Sequence, residues 1–150
     1  MEVAISPYVV RFAIAYTVAL IAVGAVLTVL EVNGSSSGSI ASLFAGVVVE
    51  ASGFVKNEKR VPSPSERKKL TWLSLVASYV ISLGLAVAVL AALGQLEVIK
   101  VLPSLVAEVG TGIVIGSLLF VTVLYGLVLW FSYGWFAKMQ FNTMQKKGEI

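Results

Sequence analysis

The chain of 150 residues contains no cysteine and no histidine, and only 13% of it is charged. Without cysteine there is no disulfide framework, no thiolate metal site and no sulfur nucleophile. Without histidine there is no imidazole ligand for zinc or haem, and no serine–histidine nucleophile system. The 8 acidic residues are spread along the chain and form no cluster that would take over as metal ligands. No cofactor, no metal and no enzymatic activity are therefore expected. Soluble domains carry roughly a quarter of charged residues. Here hydrophobic residues reach 58%, more than a single soluble core of this length can hide. Lipid removes that difficulty.

Four apolar runs organise the sequence. The first, residues 12–30, carries no charge and follows Ser6-Pro7, a favourable helix start because proline at the first helical position loses no hydrogen bond. As a cleaved signal peptide it would have an overlong apolar region and Glu2 in its leading segment, so it is read as a span of about residues 8–30. Residues 31–39 (EVNGSSSGS) read as a short Gly/Ser turn. A second span, about residues 40–55, is short and interrupted by Glu50. Residues 56–69 form a basic loop that ends in the capping box Ser63-Pro64-Ser65-Glu66, which predicts a helix start. That helix runs on through an uncharged third span, residues 70–93, with Trp72 at headgroup level. A connection with Glu97, Lys100 and Pro103 precedes the last span, placed within residues 105–136. Trp130, Phe131, Tyr133, Trp135 and Phe136 then read as an aromatic anchoring belt, followed by Lys138, Lys146 and Lys147.

The distribution of basic residues sets the orientation. With four spans, Arg11, the loop residues Lys56, Lys59, Arg60, Arg67, Lys68 and Lys69, and the three late lysines fall on one side. Of the 11 Lys and Arg, Lys100 alone is left on the other. A three-span arrangement loses this separation. The positive-inside bias thus predicts one all-α transmembrane four-helix bundle over residues 1–150, with both termini cytoplasmic and the third helix extended into the cytoplasmic loop. The net charge of +3 belongs to this bias and calls for no nucleic acid.

Three ionisable residues fall within or at the margins of the spans: Arg11, Glu50 and Glu108. Each shares a helical face with small residues. Arg11 lines up with Ala15, Ala19 and Ala22; Glu50 with Ser42, Gly46 and Gly53; Glu108 with Gly112 and Gly116. Small faces permit close helix approach, so Gly46, Gly53, Gly112 and Gly116 are expected packing positions, the last two within the monomer rather than in a dimer. Arg11 lies about 6 Å and Glu50 about 9 Å from the cytoplasmic edge. At matching depth the two are expected to pair, an ion pair that fixes helix register; the alternatives are Glu50 as a protonatable relay and Arg11 snorkelling to the headgroups. Ser74, Ser78 and Ser82 form a polar stripe able to supply hydroxyl donors near Glu50. Glu108 reads as a solvated carboxylate near the far edge.

Phe54, Glu58-Lys59-Arg60, Pro62, Glu66, Lys69-Leu70, Trp72 and Ser74 resemble the middle third of a group of small bacterial four-span inner-membrane proteins of unknown function. The resemblance implies a location in the bacterial cytoplasmic membrane and brings no functional residues with it. Small multidrug exporters share the span count but need a carboxylate in the first span, where this chain has Arg11. The expected function is that of a non-enzymatic accessory or interaction subunit. Its partners are then the lipid bilayer and either another membrane protein or further copies of the chain. The rival is an oligomeric small transporter or channel that uses Glu50 as its protonatable site.

Overall fold

The computed structural model describes residues 4–29 and 35–149, with side chains from residue 38 onward in the second stretch. Among these residues the chain is all-helical, with no strand: α1 (Ser6–Val29), α2 (Ser35–Glu58), α3 (Pro64–Ala92), α4 (Glu97–Val109) and α5 (Thr111–Lys146). Four of the five helices, α4 excepted, are long and apolar enough to cross a membrane. This architecture is compatible with a multi-pass membrane protein.

Local chemistry accounts for most of the boundaries. Ser63 caps α3 by accepting a hydrogen bond from the Glu66 amide, while the Glu66 carboxylate accepts from the Ser63 amide at 2.8 Å. The reciprocal pair satisfies two amides that a helix start otherwise leaves bare. At the other side of the loop α2 runs on through Glu58 and ends where Lys59 turns left-handed, with φ 52°. The predicted basic loop of residues 56–69 therefore shrinks to residues 59–63 between the helices.

Two other boundaries differ from the sequence reading. Of the expected turn at residues 31–39, residues 35–39 already belong to α2, and residues 31–34 lie outside the described set. Serine is a tolerable helix former once its hydroxyl folds back on the main chain, as Ser42 does in donating to the Gly38 carbonyl at 2.9 Å. The last span is not residues 105–136 but α5, which starts at Thr111 and continues to Lys146. Gly110 separates it from α4 with φ 97° and ψ 120°, values that an L side chain rarely adopts. α5 contains 36 residues and no proline, so nothing in its sequence interrupts it. α4, by contrast, has 13 residues, about 20 Å of helix, too short to span. Its polar residues Glu97, Lys100, Ser104 and Glu108 recur at helical spacing along one side, and Lys100 and Glu97 pair there at 2.7 Å.

α1 packs on α2 and α3, α5 packs on the same two helices, and α4 touches α5. The core occupies only one end of this bundle. α1 buries Tyr8, Phe12 and Tyr16; α2 buries Leu43, Val47, Ala51 and Phe54; α3 buries Leu70 and Leu75; α5 buries Leu129, Tyr133 and Ala137. These stripes come from the first half of α1 and α3, the second half of α5 and residues 43–54 of α2, which meet toward the end carrying loop 59–63. At the opposite end α1 and α2 stay together, Gly38 lying against Val23 and Leu27, while α1 and α3 part. Residues 91–105 are exposed throughout, and an open groove of about 770 Å³ separates α1 from α3 between Leu20, Gly24, Ser82, Ala86 and Leu90.

Candidate functional site

Glu50 lies in the closed half of the bundle, fully buried. It faces Ser42 and Gly46 along α2, and Gly46 leaves space for the α1 ring of Phe12, since a Cβ there would stand 2.7 Å from Phe12 Cε2. Glu50 Oε2 accepts hydrogen bonds from the Tyr133 hydroxyl of α5 and, at 3.0 Å, from the Ser74 hydroxyl of α3. Ser74 Oγ and Tyr133 Oη are themselves 2.8 Å apart. Three helices thus each contribute one oxygen to a closed triangle. Glu50 Oε1 accepts no hydrogen bond among the described residues, and neither does the buried hydroxyl of Thr71, one turn before Ser74. A bare buried oxygen costs about 1–3 kcal/mol, so two of them in one small core stand out.

The expected Arg11–Glu50 pair does not form. Depth along the helix was right for it, but direction around the helix was not. Arg11 is exposed, its guanidinium sits 5.8 Å from the Tyr8 ring centroid, and it lies over Gly53, where a Cβ would come within 2.7 Å of Nη1. Gly53 thus makes room for the Arg11 side chain, three residues beyond Glu50 on α2. Snorkelling along its own helix gives Arg11 a route to polar surroundings without a buried partner.

Ser74 does supply a hydroxyl to Glu50, as the serine stripe predicts. Ser78 is buried and donates to the Leu75 carbonyl at 2.8 Å, while Ser82 shares a 2.9 Å hydrogen bond with Tyr16 at the groove wall. Tyr133 was not legible as a partner, because it sits inside an aromatic run that reads as a belt. The run divides by helical phase. Phe131 and Trp135 are exposed, whereas Tyr133 turns inward between Leu129 and Ala137. The i, i+4, i+8 spacing of those three residues was the available signal.

A second cluster ties the loop end together. Arg60 grips Glu66 in a bidentate pair at 2.7 and 2.6 Å and lies over the Phe54 ring at 5.4 Å. These bonds raise the Arg60 pKa above its ordinary value. Tyr8 donates to Glu58 at 2.7 Å, joining α1 to the end of α2. Arg67 donates from Nε to the Trp130 carbonyl at 2.7 Å and stacks 4.1 Å from the Trp130 ring centroid. Gly134 leaves space for that guanidinium: a Cβ there would approach Arg67 Cζ to 2.5 Å.

The remaining predicted positions lie elsewhere. Glu108 is exposed on α4, in a different helix from Gly112 and Gly116, so the three share no common helical face. A Cβ at Gly112 or Gly116 would meet no atom within 4 Å. The expected packing of these two glycines inside the monomer is therefore not made, because α5 leaves the bundle over this stretch. Among the described residues no three His, Cys, Asp or Glu gather to hold a metal ion. No protein-family model, curated protein or solved structure matches the chain.

Proposed function

We propose that this chain is a small multi-pass protein of the bacterial cytoplasmic membrane that acts as a non-enzymatic interaction subunit, with both termini in the cytoplasm. The single observation that carries the reading is the lopsided core. One half of the bundle satisfies its own packing, while the other presents α1, α3 and α5 with faces that no helix of the same chain covers. Small residues on such faces favour close approach by another transmembrane helix, and Gly112 and Gly116 stand open on α5. The orientation is supported by the basic residues gathered at the closed end, opposite Lys100.

Because the chain has no cysteine, single introduced cysteines report sidedness cleanly. Lys100→Cys is expected to react with a membrane-impermeant maleimide on intact spheroplasts, and Lys59→Cys only after permeabilisation. The interaction itself is tested by purification from native membranes in mild detergent. A stoichiometric membrane partner, or a second copy of the chain, is expected to be lost in Gly112→Leu/Gly116→Leu. A strictly monomeric species without partners would sink the reading.

A further inference from the structure

The oxygen triangle of Glu50, Ser74 and Tyr133 poses a counting problem. Its three oxygens touch one another, and each of the three edges needs a hydrogen between the atoms. Ser74 brings one hydroxyl hydrogen and Tyr133 brings one. An ionised Glu50 brings none, and one edge would then press two lone pairs together inside a dry core. A third hydrogen on Glu50 Oε2 closes the ring: Oε2 then donates along one of the two edges on which a carboxylate would accept, and each oxygen donates once and accepts once.

The surroundings lead to the same conclusion. From α1 the charged group nearest along the sequence to this level, Arg11, is exposed and turned onto Gly53 and Tyr8. From α3 the neighbour is the Ser74 hydroxyl, and from α5 the Tyr133 phenol. The acids flanking this level are already engaged, Glu58 with Tyr8 and Glu66 with Arg60. Among the described residues no basic side chain pairs with Glu50, and an isolated buried charge is far more costly than a neutral acid. A bound metal cation is a poor substitute for the proton. Membrane-embedded sodium sites draw on carbonyls released by unwound helices, whereas α2, α3 and α5 run unbroken past this level. Oε1 then remains as the carbonyl oxygen of a neutral acid, which tolerates an apolar setting better than half of an anion does.

We infer that Glu50, Ser74 and Tyr133 form a reversible proton-binding site, in which uptake of one proton by Glu50 closes a three-membered hydroxyl ring joining α2, α3 and α5. Release of that proton opens one edge of the ring and leaves a charge in the core. The inference stands apart from the interaction reading, since a proton site serves a conducting and a non-conducting protein alike.

Infrared difference spectroscopy on the full-length protein in liposomes tests it. At neutral pH the wild type is expected to show the carbonyl stretch of a protonated carboxyl, shifted down in heavy water. The band is expected to vanish in Glu50→Gln, to move without vanishing in Tyr133→Phe, and to bleach reversibly as the pH is raised. Should Glu50→Gln fail to fold, the heavy-water shift and the Tyr133→Phe displacement still assign the band. Three results would overturn the proposal: no such band in the wild type at neutral pH, a band that persists until the protein unfolds in alkali, or a band erased by sodium or potassium at constant pH.

Discussion

The two halves of this bundle are built from the same four long helices, yet only one of them is a core. At the loop end each helix turns a stripe of large side chains inward, and the hydroxyl triangle, the Tyr8–Glu58 bond and the Arg67–Trp130 contact join helices distant in sequence. At the far end the helices are equally apolar, but most of their large side chains are exposed and the groove between α1 and α3 stays open. Hydropathy is therefore not what distinguishes the halves. Between lipid and protein interior the hydrophobic effect is nearly silent, and association depends on close packing and on polar groups that find partners. The closed half is rich in both, while the open half keeps the α1–α2 contact at Gly38 and the Tyr79–Thr122 hydrogen bond between α3 and α5.

The sharpest way to break this contrast is to remove one large side chain from each half. Phe12→Ala, in the closed half, is expected to cost about 3–5 kcal/mol, measured by denaturant unfolding in mixed micelles. Val18→Ala, two turns on and exposed, should stay within about 0.5 kcal/mol of wild type. Equal losses would mean that the closed half is not the seat of stability.

Glycines sharpen the comparison at a smaller scale. Gly46→Ala drives a Cβ into the Phe12 ring and should cost about 1–3 kcal/mol. Gly112→Ala meets open space and, by improving helix propensity, should leave unfolding unchanged or slightly stabilised, by no more than about 1 kcal/mol. A destabilised Gly112→Ala that recovers when the protein is diluted to monomer would reveal a partner copy on that face.

The smallest expected effect is a null. Arg11 and Glu50 sit on separate contacts, so Arg11→Leu and Glu50→Leu should combine additively within about 0.5 kcal/mol in a double-mutant cycle. A coupling of several times that size would restore the ion pair that the structure does not form.

How much of this was legible differs by kind of information. One-dimensional signals carried well. The apolar runs located the four long helices, and Ser63, Pro64 and Glu66 marked the start of α3, because a cap is written in adjacent residues. Azimuth carried poorly. Pairing Arg11 with Glu50 by depth ignored that two residues at one level can face different neighbours. Tyr133 was hidden by its aromatic company, although its phase with Leu129 and Ala137 set it apart from Phe131 and Trp135. The break at Gly110 was hidden in another way. Val, Leu and Ile continue on both sides of it, and only the polar residues of α4, spaced from Glu97 to Glu108, betray a helix with its own orientation.

α5 has a mechanical consequence. Its 36 residues extend about 54 Å, against about 30 Å of hydrocarbon in a bilayer. It is a strut longer than the slab it crosses, held just past its middle by the Trp130 carbonyl and the Tyr133 phenol, and joined at its start to α4 through Gly110. About 29 Å of rod, close to the full hydrocarbon thickness, therefore lies between Gly110 and the clamp at Trp130.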